Sequence, residues 1–222
     1  MNPMYKPENY EFLYEKSSRN RILVTAKTLF ASLGYDNTST AVIARNAGTS
    51  ESQLMKHFGG KAGLLETIFT EGWDRINAQL KACFDSANDL DGRLSCIPGV
   101  VFESLDEDME LKTLVLLEAH RMRAAALQAP AASGYAHYLN LIDAVVERAA
   151  AEGELKLEVS PLSLRSALVG MIEGSVRERV LGTRAGFPAN YDTGEYRKLF
   201  SSFIGTVADG GPRGRHRHVG GQ

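Results

Sequence analysis

TSESQLMKHFGGKAGLL, residues 49–65, sets two kinds of side chain in one short helical window. Leu54 and Phe58 lie four residues apart and share one face at roughly 100° per residue, with Ser50 and Glu51 on its shoulders. Ser52 and Lys56 project from the far side, flanked by Gln53 and Met55. Ser50 is placed as an N-cap with Gln53 at N3, an S-x-x-Q capping box, and Gly59 and Gly60 break the segment. Isolated helices shorter than about 12–15 residues are marginal in water, so the apolar side of this one must dock elsewhere.

The neighbours supply the dock. Ser39 can cap a short helix carrying Val42, Ile43, Ala44 and Ala47, which Gly48 ends. Ahead of it, Ile22, Ala26, Leu29, Phe30 and Leu33 follow helical spacing and predict a helix over 19–33, with Gly34 placed as a left-handed residue at its end. A tight turn at Gly48-Thr49 between two short helices, resting on a longer first one, reads as a helix-turn-helix on a three-helix core. Its free face carries amide, ammonium and hydroxyl groups of the kinds that read base edges in the major groove of double-stranded DNA. Gln53 suits adenine, Lys56 guanine, and Ser52 either. Thr38, Ser39 and Thr40 sit at a helix N-terminus, where free N–H groups favour a phosphate; capping is their plainer role. Thr49 and Ser50, at the turn, complete the candidate DNA-facing set, and His57, nearer the apolar shoulder, is open to packing or to a phosphate.

Downstream, a long helix starts at Lys61, and further helices are predicted near 91–105, 110–126, 134–152, 161–181 and 192–208. Pro98 makes the first of these either kinked or later in starting. No β-alternation of useful length is present, so the fold class is all-α. Four stretches are expected: an N-terminal arm over 1–18, the helix-turn-helix domain over 19–66, a larger helical domain over 67–208, and a disordered basic tail over 209–222.

The 222 residues carry a net charge of −2, so bulk charge does not announce a nucleic-acid partner. Its distribution is uneven, with eight basic and six acidic side chains in residues 1–70. Cys83 and Cys96 are too few for a disulfide scaffold and make no metal spacing, which fits a reducing compartment. No signal-like leader and no run of about 18 apolar residues is present, so a cytoplasmic location without membrane contact is expected. The segment GGKAG lacks the Ser or Thr after Lys61 and the upstream glycine that a phosphate-binding loop requires.

RILVTAKTLFASLGYDNTSTAVIARNAGTSESQLMKHFGGKAGLL resembles the N-terminal domain of TetR-family transcriptional regulators, through Ala26, Phe30, Gly34-Tyr35, Thr38-Ser39, Ile43-Ala44, Ala47-Gly48, Leu54, Phe58, Lys61 and Leu64-Leu65. The match covers about a fifth of the chain. It implies a repressor whose affinity for a palindromic operator falls when a small-molecule effector binds. Lys61 stands at the family's usual lysine position. Met55 stands where the family commonly has a tyrosine that bonds a DNA phosphate; methionine cannot donate that bond, but it can touch a thymine methyl.

The resemblance also implies a homodimer through residues 161–208, with Ala167, Gly170, Gly174, Ser201 and Gly205 allowing close approach and Leu164, Leu168, Met171, Leu199, Phe203 and Ile204 supplying burial. A monomer using these helices as core is the alternative. The middle helices should enclose the effector, lined by Trp73, Phe102, Met109, Leu117, Tyr138 and Met171, with His120, Arg121, Arg123, His137, Asn140 and Glu173 as polar candidates. No cofactor is called for. An all-α enzyme finds no nucleophile or metal motif to support it, and a protein-binding adaptor leaves the Ser-Gln-Lys face without a purpose.

Overall fold

The computed structural model describes residues 17–125, 131–155, 160–185 and 193–208, all helical apart from short connections. In chain order the helices are α1 (Ser18–Leu33), α2 (Thr40–Asn46), α3 (Glu51–Phe58), α4 (Lys61–Ser86), α5 (Leu90–Asp106), α6 (Met109–Ala125), α7 (Ala131–Glu152), α8 (Pro161–Ala185) and α9 (Thr193–Ala208). Residues 1–16 of the expected 1–18 arm and the basic tail, 209–222, lie outside the described residues; Ser17 caps α1 and Ser18 opens it.

Two compact units divide the chain. The first contains α1, α2, α3, the beginning of α4 as far as Gly72, and α6; the second takes in the remainder of α4 from Trp73, α5, α7 from Gly134, α8 and α9. The sequence reading drew a line after residue 66; the compact units instead keep α4 with the first unit as far as Gly72 and add α6 to it.

In the first unit, α1 turns Ile22, Leu23, Ala26 and Phe30 inward, to share a core with Ile43 and Ala44 of α2, Leu54 and Phe58 of α3, and Leu64, Ile68 and Phe69 of α4. Gly34 ends α1 as expected but not in the left-handed helical well: its φ of 87° and ψ of 152° belong to a region essentially reserved for glycine. Asp108 closes the unit. One carboxylate takes both oxygens to the Lys27 ammonium, at 2.9 and 2.8 Å, and accepts the Leu111 N–H at 3.0 Å, so the residue that caps α6 also ties it to α1.

In the second unit, α5 is the shared neighbour of α8 and α9. Its cap is Asp89, whose side chain accepts the Gly92 N–H at 2.8 Å, so α5 begins at Leu90 and carries Pro98 inside it. The later start that Pro98 allowed does not occur, and the proline is buried, its missing N–H costing one helical bond. Arg165 pairs with Asp143 at 3.1 Å, fastening α8 to α7. Cys83 and Cys96, unpaired in the sequence reading, are joined here as a disulfide between α4 and α5.

Gly63, in the first turn of α4, passes so close to the end of α3 that a Cβ there would collide with the Phe58 carbonyl. Gly63→Ala is expected to force α3 and α4 apart and to destabilise the protein by about 1–3 kcal/mol, read as a lower urea midpoint; an unchanged midpoint would show that the junction has slack.

Candidate nucleic-acid interface

Helix α3 keeps the expected Ser50 cap, with only the Ser50 half of the capping box formed. The Ser50 side chain accepts the Gln53 N–H, Gly59 closes the helix in the left-handed conformation, and Leu54 and Phe58 alone are buried. Everything else on it is exposed: Glu51, Ser52, Gln53, Met55, Lys56 and His57. Met55 leaves 51% of its surface open, an apolar side chain offered outward beside the Gln53 amide and the Lys56 ammonium.

Contacts within the unit fix the angle of this face. Arg19 of α1 lies 5.3 Å above the Phe58 ring and pairs with Glu71 of α4 at 3.2 Å, so one guanidinium touches both α3 and α4. Arg21 donates from Nε to the Ala47 carbonyl at 3.2 Å, holding the end of α2 against α1. His57, left open between packing and phosphate, is exposed and shares a 3.2 Å hydrogen bond with the Ser18 hydroxyl.

At the start of α2, Ser39 is exposed and caps the helix by accepting the Val42 N–H. Thr40 donates its hydroxyl to the Glu51 carboxylate at 2.8 Å, a bridge between the start of α2 and the start of α3. Thr49 is half-buried in the turn, with its N–H on the Ala44 carbonyl. Thr38 departs from the expectation of a phosphate ligand. It is only 1% exposed, and its hydroxyl donates to the Gly34 carbonyl at 2.8 Å, so it holds the α1–α2 loop from inside. Lys61 is also engaged within the fold: its ammonium donates to the Tyr35 carbonyl at 2.8 Å and stands 4.3 Å over the Tyr35 ring. That geometry gives Lys61 a part in shaping the loop that precedes α2.

Of the residues expected around an effector, the second unit brings Trp73 and Tyr138 together. In the second unit, Trp73 and Tyr138 are buried with ring centroids 5.2 Å apart, and Tyr135 completes the cluster at 5.1 and 5.8 Å from them. The Tyr135 hydroxyl donates to the Glu173 carboxylate at 2.5 Å. Burial, helped by Tyr135 and Glu173, raises the Tyr138 phenol above its ordinary pKa and keeps it neutral. Asn77 had not been singled out: it is 4% exposed, donates to the Gly134 carbonyl at 2.9 Å and leaves its Oδ1 without a partner. Its signal was available as the i, i+4 pair Trp73/Asn77, alongside Tyr135/Tyr138 at i, i+3.

Phe102 is buried elsewhere in that unit, against Tyr196 at 5.2 Å and under Arg179. Met171 is half-buried, while His137 and Asn140 are exposed. Met109 and Leu117 belong to the first unit and are exposed, so neither lines an apolar enclosure there. The side chains of His120, Arg121 and Arg123 lie outside the described residues. Among the described residues, no group of His, Cys, Asp or Glu could hold a metal ion, and no helix is long and apolar enough to cross a membrane.

Replacing Thr38 by alanine is expected to cost about 0.5–1.5 kcal/mol of stability by removing its hydrogen bond to the part-buried Gly34 carbonyl, whereas Ser52→Ala should change it by less than about 0.5 kcal/mol. Thermal denaturation of the two variants separates an inside role from an outside one; equal losses would contradict the placement of Thr38.

Against known proteins, residues 22–68 match the model of the tetR family of bacterial regulatory proteins. The nucleoid occlusion factor SlmA of Photobacterium profundum is 25% identical over 182 residues, which cover 81% of this chain and 91% of that protein. The fatty acid degradation regulator FadR from Bacillus halodurans superposes with a TM-score of 0.73 at 20% identity, over 86% of this chain and 95% of that one. FadR from Bacillus subtilis, solved in complex with stearoyl-CoA, gives 0.69 at 20% identity, over 86% and 98%. Residues 22–68 therefore match the N-terminal domain of the tetR family, and the chain as a whole shares the fold of these solved regulators.

Proposed function

We propose that the chain is a ligand-responsive transcriptional regulator which, as a homodimer, grips a palindromic operator through α3 and releases it when a small molecule binds the second unit. The observation that carries this reading is the face of α3: two buried anchors, and a continuous exposed surface of Ser52, Gln53, Met55 and Lys56. Ser39, Thr40, Thr49 and Ser50 lie at the N-termini of α2 and α3, where backbone N–H groups and short hydroxyls suit phosphate. In this reading Met55 rests on a thymine methyl and His57 reaches the flanking backbone.

One eight-residue helix makes too few contacts, and a two-fold partner doubles them. What supports dimerisation through residues 161–208 is the surface of α8 and α9. Leu162, Leu181 and Leu199 are 58%, 54% and 60% exposed, and a Cβ at Gly170, Gly174 or Gly205 would meet open space. The burial expected from Leu164, Leu168 and Ile204 is instead spent inside the chain's own core, so the three exposed leucines take that part in the interface.

For the effector, the cluster of Trp73, Asn77, Tyr135, Tyr138 and Glu173 offers ring faces together with an unpaired amide oxygen. A structural relative in complex with stearoyl-CoA supports a small-molecule ligand. The ligand needs only to prefer a conformer whose reading helices no longer match the groove; a coupling of about 1–3 kcal/mol lowers DNA affinity some 5- to 150-fold.

Gel retardation of the promoter DNA upstream of the chain's own gene tests the reading. Gln53→Ala and Lys56→Ala are expected to lose retardation while eluting as intact dimers, and normal retardation by both rules out α3 as the reading helix. Binding should also weaken with salt: about six neutralised phosphates give a log-log slope near −5, and a flat response counts against phosphate contact. Leu181→Glu combined with Leu199→Glu is expected to yield a folded monomer on gel filtration; a persistent dimer would move the interface elsewhere.

A further inference from the structure

Cys83 and Cys96 are the only cysteines of the chain, and the fold brings both to one place. Cys83 lies in the last turn of α4 and Cys96 early in α5; their Cα atoms are 6.7 Å apart, within the range a disulfide spans. Neither residue is fully buried. The hairpin they join has other means of support: the Asp89 cap, and the buried side chains of Leu80, Leu90, Leu94 and Ile97. Opening the bond leaves those contacts standing.

We propose that Cys83 and Cys96 form a reversible thiol–disulfide site that clamps α4 to α5 when the surroundings turn oxidising. The inference rests on the proposed function in one respect: a protein that works on DNA works where low-molecular-weight thiols hold cysteines reduced, so a bond placed there opens and closes instead of serving as a scaffold. Closure takes two exchange steps with a low-molecular-weight disulfide such as oxidised glutathione. One cysteine thiolate attacks a sulfur of that disulfide, forming a mixed disulfide and releasing one thiol. The second cysteine then attacks the protein sulfur of the mixed disulfide, forming the Cys83–Cys96 bond and releasing the other thiol. The oxidant takes up two electrons, and the two protons from the cysteines end on the released thiols. Reduced glutathione runs the steps backward. Because α4 also carries Trp73 and Asn77, the clamp stiffens the helix on which the proposed effector site is built.

The test equilibrates the full-length protein with oxidised or reduced glutathione, traps free thiols with N-ethylmaleimide, and maps the peptides by mass spectrometry. After oxidised glutathione, a single chain carrying no maleimide and a linked Cys83–Cys96 peptide are expected; reduction should restore two maleimides. The oxidised form should melt about 5–10 °C above the reduced form, and Cys83→Ser or Cys96→Ser should remove that difference. Two maleimides after oxidation, links between chains, or equal melting temperatures would each overturn the proposal. None of these readouts uses DNA, so a failed operator assay and a failed thiol assay are told apart, and wild-type trapping needs no variant to fold.

Discussion

Eight residues cannot keep a helix in water, so α3 exists as a helix because Leu54 and Phe58 are buried against α1 and α2. Each such side chain, fully buried, is worth about 1.5–3 kcal/mol, enough to offset the marginal propensity of a two-turn segment. That burial also decides what α3 can do. With one face committed to protein, the opposite face is committed to the outside, and the residues there are a hydroxyl, an amide, a thioether and an ammonium instead of the carboxylates and alanines of a merely solvated helix. The face is held at a fixed angle by Arg19 over Phe58, by the Thr40–Glu51 bridge and by the close pass of Gly63.

The same constraint runs on into the remainder of the first unit. Asp108 caps α6 and grips Lys27 of α1 with both oxygens, so α6 is fastened to the helix on which α3 rests. Helix α4 begins at the α3–α4 junction, where Gly63 passes against the Phe58 carbonyl, and continues without a break past Trp73 and Asn77 to Cys83.

Much of this was legible in the residues. The caps at Ser39 and Ser50, the stops at Gly48 and Gly59 and the buried pair Leu54/Phe58 are local features, decided within one or two turns, and they read correctly from spacing alone. What did not read was whatever depends on partners distant in sequence. Thr38 resembles its neighbours Ser39 and Thr40, yet the return of the α1–α2 loop puts its hydroxyl inside, and Lys61 spends its charge on Tyr35, 26 residues earlier. Leu164 and Leu162 are alike in type and two residues apart, and only the helix packing reveals that the first is core and the second is surface. The cysteine pair was missed for the same reason, since two thiols 13 residues apart acquire meaning only when the neighbouring helix completes the bond; the spacing of Trp73 and Asn77 put both on one face, but the Gly134 carbonyl that Asn77 meets lies 57 residues away.

If a two-fold pair of α3 helices reads DNA, selection of bound sequences from a random duplex pool by the wild-type protein should enrich a palindrome. Its half-sites should be separated by about one helical turn, roughly 34–36 Å, or a multiple of it. Recovery of no common sequence, or of a single unrepeated half-site, would contradict that reading.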